Sequence, residues 1–258
     1  MDNNFYVNLA ESMKKYSSSQ RQHLIAGYVY DTFDDDALTK MPAVFFAELL
    51  KNEEDDICKW YEIKAIGKLK AIEYGDTLVS ILTDDDVKFE TGSSLHLITA
   101  KSLGLMGEVV VSKVLALWNN ANVQTRLAII DTLGETKCSV AANKLGDMLP
   151  SLNLNEFAYA TLALSKCGTD GQEILKKILS DYSQQERAFC IIDALCYSSE
   201  NDAFLKEILN AESDLIINVL KTKTRGACIL LNRINNCEEI WTEDDKALML
   251  QKGVNFNE

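Results

Sequence analysis

The chain has 258 residues, of which 47% are hydrophobic, so it is long enough to bury a sizeable core. Only two prolines and 12 glycines are present. That is too little turn chemistry for a β-rich protein, and it favours helices. The 39 acidic residues outnumber the 26 basic ones and give a net charge of −13. A surface of that sign repels phosphates, so we expect no nucleic-acid partner.

The cysteines and the N-terminal sequence bear on the compartment. Seven cysteines occur without a Cys-x-x-Cys pair, and most of them lie in apolar helical stretches. This is typical of free thiols in a reducing compartment. No signal peptide is visible, and no apolar run approaches the roughly 20 residues that span a bilayer. We therefore expect a cytoplasmic protein without membrane contact.

The first predicted elements are two helices at residues 23–33 and 42–51, within a terminal repeat that covers residues 20–55. Pro42 is expected near the helix start, where proline is tolerated because the first amide needs no partner in the helix. Terminal repeats of a stack are atypical, since their outer face meets water. The weak pattern of this segment therefore fits a capping repeat.

Residues 60–212 repeat one pattern five times. Each copy has an apolar helical stretch that ends in small residues and leucine, then a short polar turn, then a second helical stretch. The equivalent leucines are 34, 30, 31 and 31 residues apart. They are Leu69, Leu103, Leu133, Leu164 and Leu195. A fixed period of this length predicts helix pairs that stack on one another.

Capping residues mark several predicted helix starts. Ser183 with Glu186 predicts a capping box before the fifth repeat, and Asn155 is expected to cap the fourth. Thr242 with Asp245 predicts a second box before the last helix. These signals agree with helix boundaries at the repeat period.

The C-terminal residues 213–252 are interpreted as a second terminal repeat. Apolar spacing predicts helices at residues 215–221 and 225–234, and a last helix that includes residues 247–250. The absence of a low-complexity linker favours a single domain over residues 1–258.

The period of 30–31 residues, with small-Leu-Gly before the turn and Leu-x-x-Leu-Leu after it, resembles the short HEAT-like repeats of the phycobilisome-lyase class. The usual proline and Asp-Pro-x-Val-Arg turn of that class are missing, and only Arg126 and Arg187 match its arginine. The resemblance implies an all-α, right-handed α-solenoid of about six to seven helix pairs. Because such repeats serve many roles, it predicts fold more than function.

The sequence shows no motif that is typical of catalysis or metal binding. The chain has no phosphate-binding loop and no Gly-x-Ser-x-Gly nucleophile elbow. Its two histidines, His23 and His96, lie among apolar residues and are expected to be structural. The aspartates after Tyr30 lack the central glycine of a calcium loop. We therefore expect no catalytic residue, metal or cofactor.

Three acidic runs concentrate negative charge in the N-terminal part, at residues 34–36, 53–56 and 84–86. In a solenoid, equivalent loops line up, so these carboxylates would form one acidic edge. Solvation alone also explains them. Trp118 is a candidate apolar anchor, with core packing as its alternative role. The predicted partner-binding residues are Glu53, Glu54, Asp55, Asp56, Asp84, Asp85, Asp86 and Trp118.

The main functional hypothesis is a non-enzymatic protein-binding module, because stacked helix pairs present an extended concave surface. A more specific version is an inhibitor or immunity-type protein whose acidic face masks a basic partner, such as a nucleic-acid-cleaving toxin. The alternative is an enzyme on the same fold, similar to HEAT-like DNA glycosylases or to chromophore lyases. A glycosylase needs a basic groove, which the net charge of −13 disfavours.

Overall fold

A computed structural model describes residues 3–30, 41–83, 95–179, 185–211, 213–238 and 240–256. These residues form sixteen α-helices and five short 3₁₀ helices, and no β-strand occurs among them. The all-α class is therefore confirmed. The helices group into two compact units, Met1–Cys138 and Ser139–Glu258. The expectation of a single domain stays a prediction.

The first unit has two layers of helices. In one layer α2, α4, α6 and α8 pack in succession, each against the next. The other layer covers them, with α3 on α4, α5 on α6 and α7 on α8, while α1 packs on α3. The eight helices are α1 (Asn3–Met13), α2 (Ser18–Val29), α3 (Ala43–Leu50), α4 (Asp56–Lys68), α5 (Gly75–Leu82), α6 (Leu95–Gly104), α7 (Val111–Leu115) and α8 (Val123–Thr136).

The second unit continues the helix-pair pattern. Here α10 packs on α12, which also contacts α14 and α15, while α11 contacts α9, α10 and α12. α13 packs on α14, and α16 packs on α15. The eight helices are α9 (Ser139–Met148), α10 (Leu154–Lys166), α11 (Gly168–Leu179), α12 (Gln185–Leu195), α13 (Asp202–Ala211), α14 (Ser213–Lys221), α15 (Arg225–Asn235) and α16 (Glu243–Gln251).

Four of the five repeat leucines lie in the core. Leu103, Leu133, Leu164 and Leu195 are 0% exposed. Leu69 is 38% exposed, because α4 ends one residue earlier, and the predicted alignment of this repeat is wrong. The equivalent core residue is Ile66, three positions earlier.

Two glycines lie at close contacts between neighbouring helices of the first unit. Gly67 of α4 lies so close to Ser102 of α6 that an added Cβ would overlap it, and Gly104 of α6 lies equally close to Glu135 of α8. Gly67 and Gly104 each directly follow a residue that is 0% exposed, Ile66 and Leu103. Close approach of successive helices is what these glycines permit.

The predicted helix start is correct for α16 and wrong for α10. Thr242 and Asp245 form the capping box of α16 as predicted. α10 begins after Asn153, which forms a capping box with Glu156, so the prediction of Asn155 as the cap is wrong by two residues. Asn153 caps α10 because its side-chain oxygen accepts a hydrogen bond from the backbone amide of Glu156.

Other boundaries also differ from expectation. The sequence pattern missed α1 altogether, and α2 begins five residues before the predicted start at residue 23. Pro42 lies directly before α3 as its N-cap. The predicted cap Ser183 lies outside the described residues.

Side chains of later helices donate to backbone carbonyls about one repeat earlier. The Lys68 amine lies 3.3 Å from the carbonyl oxygen of Tyr28 and 3.4 Å from that of Val29, at the end of α2. Arg187 donates to the carbonyl of Leu152 at 2.7 Å. Carbonyl groups at a helix end have no hydrogen-bond partner within the helix. Contacts of this kind supply donors to such carbonyls from the next repeat.

The cysteines and the lengths of the helices bear on two expectations from the sequence. All seven cysteines are free. No helix in the described parts of the chain combines the length and the apolar character needed to cross a membrane.

We expect Leu133→Ala to lower the free energy of unfolding by roughly 2–5 kcal/mol, because it opens a cavity in the core of the first unit. The matched control is Leu69→Ala, the same chemical change at an exposed position of that unit, which should cost less than about 1 kcal/mol. Urea unfolding followed by circular dichroism measures both. Equal losses would contradict the assignment of Leu133 to the core.

Candidate functional site

Two of the four predicted acidic residues before α4 are used inside the fold. The Glu53 carboxylate accepts from Arg21 at 3.0 and 2.8 Å, a bidentate ion pair. Asp55 caps α4 by accepting from the Cys58 amide at 2.8 Å and also accepts from Gln22 at 3.0 Å. Burial opposes ionisation of Asp55, but the bonds from Cys58 and Gln22 outweigh it and lower the pKa of Asp55. These two residues therefore position α4.

The other two predicted residues of this run remain at the surface. Glu54 is exposed, and Asp56 makes only a solvent-exposed ion pair with Lys59 at 3.3 Å. Such pairs contribute little to stability. The predicted residues 84–86 and the run at residues 34–36 lie outside the described parts of the chain. Of the predicted partner-binding carboxylates that the structure describes, Glu54 and Asp56 are thus the two available for a partner.

Trp118 lies in a short 3₁₀ turn between α7 and α8 and is half-buried. The Arg126 guanidinium lies 5.1 Å from the centre of its ring, a cation–π contact within the first unit. Glu54 and Asp56 belong to the start of α4. Trp118 and the described carboxylates Glu54 and Asp56 therefore lie in different helix pairs.

An exposed cluster on α2 and α4 was missed by the sequence analysis. We call it the aromatic patch, and it consists of Tyr30, Ile57, Trp60, Tyr61 and Lys64. The Lys64 amine lies 4.3 Å from the ring centre of Tyr30 and 4.7 Å from that of Trp60. Tyr61 meets both rings edge-on, at 6.2 Å from Tyr30 and 5.0 Å from Trp60. Tyr30 is 52% exposed, and Ile57 is similarly exposed.

The α4 part of the patch had a signal in the sequence. Ile57, Tyr61 and Lys64 recur at helical spacing and therefore share one side of the helix. Asp56 lies four residues before Trp60, which places a carboxylate one turn from the indole ring. The contribution of Tyr30 had no such signal, because it depends on how α2 packs against α4.

The second unit contains a buried polar cluster that the fold satisfies. Asp202, at the start of α13, accepts from Arg233 at 3.0 and 2.7 Å and from the Trp241 indole at 2.8 Å. Arg233 also donates to the carbonyl of Cys196. Both carboxylate oxygens of Asp202 have partners, so this cluster joins α13 to α15 and to the segment before α16. Trp241 is accordingly buried as a structural anchor.

Potential metal ligands are dispersed in the described residues. No group of three or more His, Cys, Asp or Glu side chains is arranged there to hold a metal ion. The two histidines occupy different environments, since His96 is buried in α6 and His23 is exposed on α2.

Glu62 is the least satisfied polar side chain of the first unit. It lies on α4 and is 0% exposed, and neither carboxyl oxygen has a hydrogen-bond partner in the described structure. Burial raises its pKa from 4.5 to about 8. The negative charges of Glu53 and Asp55 contribute to this rise, whereas Arg21 and Lys14 act in the opposite direction. Glu62 is therefore a neutral acid at pH 7.

Comparison with protein-family models, with characterised proteins and with solved structures finds no match to this chain. The resemblance to HEAT-like repeats of the phycobilisome-lyase class stays a prediction.

We expect Glu62→Gln to stabilise the protein increasingly as the pH rises. The unfolded chain ionises Glu62 near pH 4.5, whereas the folded chain resists ionisation until about pH 8. Glu62 thus costs stability across this range, and the full cost on the order of 5 kcal/mol is reached above pH 8. The difference in unfolding free energy between variant and parent should grow from pH 4.5 to 8 and then level off.

The matched control is Glu54→Gln, the same change at an exposed carboxylate eight residues away. Its difference from the parent should vary little with pH. Urea unfolding at several pH values measures both variants. A Glu62→Gln effect that is independent of pH would contradict a buried, neutral Glu62.

Proposed function

We propose that this chain is a non-enzymatic protein-binding module with its helix pairs arranged as a right-handed α-solenoid. The observation that carries the proposal is the aromatic patch, in which two tyrosines and a tryptophan are held around one lysine on the outside of two packed helices. The proposed setting is the cytoplasm, which the seven free cysteines support.

The composition of the patch supports a binding role. Tryptophan and tyrosine are the residues that most often dominate the energy of protein interfaces. Their contacts with Lys64 restrict the rings before any partner arrives, so that binding loses less side-chain entropy. Tyr30 and Ile57 are more than half exposed, so the core does not account for their apolar character.

The charge around the patch supports a basic partner. Glu54 and Asp56 stand exposed at the start of α4, next to the patch, and the whole chain carries a net charge of −13. Complementary charge accelerates association and selects among partners. We extend the proposal to an inhibitor or immunity-type protein that covers a basic surface of its target, such as a toxin.

We expect Trp60→Ala to weaken binding at least tenfold, because truncating a central aromatic side chain removes about 1.4 kcal/mol or more. The partner is first captured from source cells with the intact chain and identified by mass spectrometry. Its affinity for each purified variant is then measured by surface plasmon resonance.

The control is Tyr16→Ala, which removes a half-exposed tyrosine between α1 and α2, outside the patch. Circular dichroism must show the same helix content in both variants. Undiminished affinity of Trp60→Ala would remove the observation on which the proposal stands.

The charge component is tested by Glu54→Gln combined with Asp56→Asn. We expect the association rate to fall several-fold at low ionic strength and the difference to vanish near 0.5 M salt, where exposed charges are screened (a Debye length of about 4 Å). Dissociation should change little. A double variant that associates like the parent at low salt would contradict a role for these carboxylates.

A further inference from the structure

The contact between α2 and α4, which we call the α2–α4 junction, encloses two polar side chains of α4. Cys58 and Glu62 are both 0% exposed and lie one helical turn apart, so they share one side of the helix. The Cys58 thiol lies 3.5 Å from the carbonyl oxygen of Ser18 on α2, which places this side of α4 against α2. Glu62 is therefore buried at the junction, and neither of its carboxyl oxygens has a hydrogen-bond partner in the described structure.

The charges that act on Glu62 come from the elements around this junction. Arg21 on α2 and Lys14 after α1 are the cations, and Glu53 and Asp55 before α4 are the anions. Arg21 is already engaged by both oxygens of Glu53. An ionised Glu62 therefore adds a third negative charge to a region whose guanidinium group is already committed.

Ionisable groups on the other helices that pack on α4 complete the surroundings. These helices are α3 and α6. Glu48 of α3 pairs with Lys51, and α6 carries His96 and Lys101. The Cys58 thiol stays protonated, because burial raises its pKa to about 12. Of the two acids buried at the junction, only Glu62 therefore changes charge between about pH 5 and 9.

The position of α2 depends on α4. α2 packs mainly on α4, whereas α1 packs on α3. The polar contacts that hold α2 in place are those of Arg21 with Glu53, of Gln22 with Asp55, and of Lys68 with the carbonyls of Tyr28 and Val29. Tyr30, directly after α2, meets Lys64 and Tyr61 of the aromatic patch because α2 lies against α4. Separation of the two helices therefore takes Tyr30 out of the patch.

We infer that Glu62 is a proton-dependent switch at the α2–α4 junction. Protonated Glu62 permits close packing of the two helices and a complete aromatic patch, whereas loss of the proton favours separation of α2. The use of this switch rests on the proposed function, because it regulates the surface that is proposed to bind the partner.

The direction of the effect follows from proton binding. In the open junction Glu62 meets water and ionises near its ordinary pKa of 4.5, whereas in the closed junction its pKa is about 8. The closed form therefore holds one more proton than the open form between these pH values. Opening becomes easier by about tenfold for each pH unit up to about pH 8, and it changes little above that pH.

Hydrogen–deuterium exchange of the whole chain, mapped by mass spectrometry between about pH 5.5 and 9, measures the opening. The exchange rates are first corrected for the intrinsic rate at each pH. We expect the protection of the α2 amides to fall about tenfold per pH unit up to about pH 8 and then to level off. α8 packs on α6, away from the junction, and should stay better protected than α2 at every pH.

Two variants, Glu62→Gln and Glu62→Met, remove the titrating group, and both should make the protection of α2 nearly independent of pH. The histidines His23 and His96 remain in these variants, so any pH dependence that they cause persists there and is subtracted. Glu54→Gln, the same change at an exposed carboxylate, should keep the slope of the parent. Tyr30→Ala removes the contact of the patch with the end of α2, so it should lower α2 protection several-fold at every pH without changing the slope.

Three results would overturn the inference. The first is one slope shared by the parent and Glu62→Gln. The second is equal protection of α2 and α8 at each pH, which means that the whole unit opens at once. The third is parental protection of α2 in Tyr30→Ala, which means that the patch is not coupled to the junction. Because no partner is needed, the result is separate from the effect of Trp60→Ala on partner binding, and either proposal can fail while the other stands.

Discussion

Each helix pair of this chain has an apolar face that only a neighbouring pair can cover, and the rest of the structure depends on that constraint. Leu103 and Leu133 in the first unit and Leu164 and Leu195 in the second are fully buried, and Gly67 and Gly104 let neighbouring helices of the first unit approach closely. Polar side chains complete the junctions, because Lys68 and Arg187 donate to carbonyls that the preceding repeat leaves open. Packing and hydrogen bonding thus both stabilise the contact between neighbouring helix pairs.

Helix packing of this kind leaves outward helix faces without a structural role, and the aromatic patch occupies such a face. The patch lies where α4 follows α2. It is formed across two helices, so it depends on the spacing that the core imposes. Asp56, at the start of α4, is exposed beside it, which agrees with the proposed basic partner.

Two buried carboxyl groups, those of Asp202 and Glu62, differ in whether the fold gives them hydrogen-bond partners. Asp202 accepts hydrogen bonds from the Arg233 guanidinium and the Trp241 indole, so both of its carboxylate oxygens have partners inside the second unit. Glu62 has no such partner in the described structure and stays protonated at pH 7, since burial raises its pKa to about 8. The first arrangement joins elements together, whereas the second lowers the stability of the first unit as the pH rises from about 4.5 to about 8.

The sequence by itself determined the helical class, the repeat and the burial of residues such as Leu133, because these follow from periodicity within about 30 residues of chain. It could not decide the first repeat, where Ile66 rather than Leu69 enters the core, since the helix end is fixed by packing. Nor could it show that Glu53 pairs with Arg21, or that Tyr30 joins the aromatic patch. Those contacts join residues about one repeat apart, and only the tertiary packing of one helix pair on the next brings them within reach.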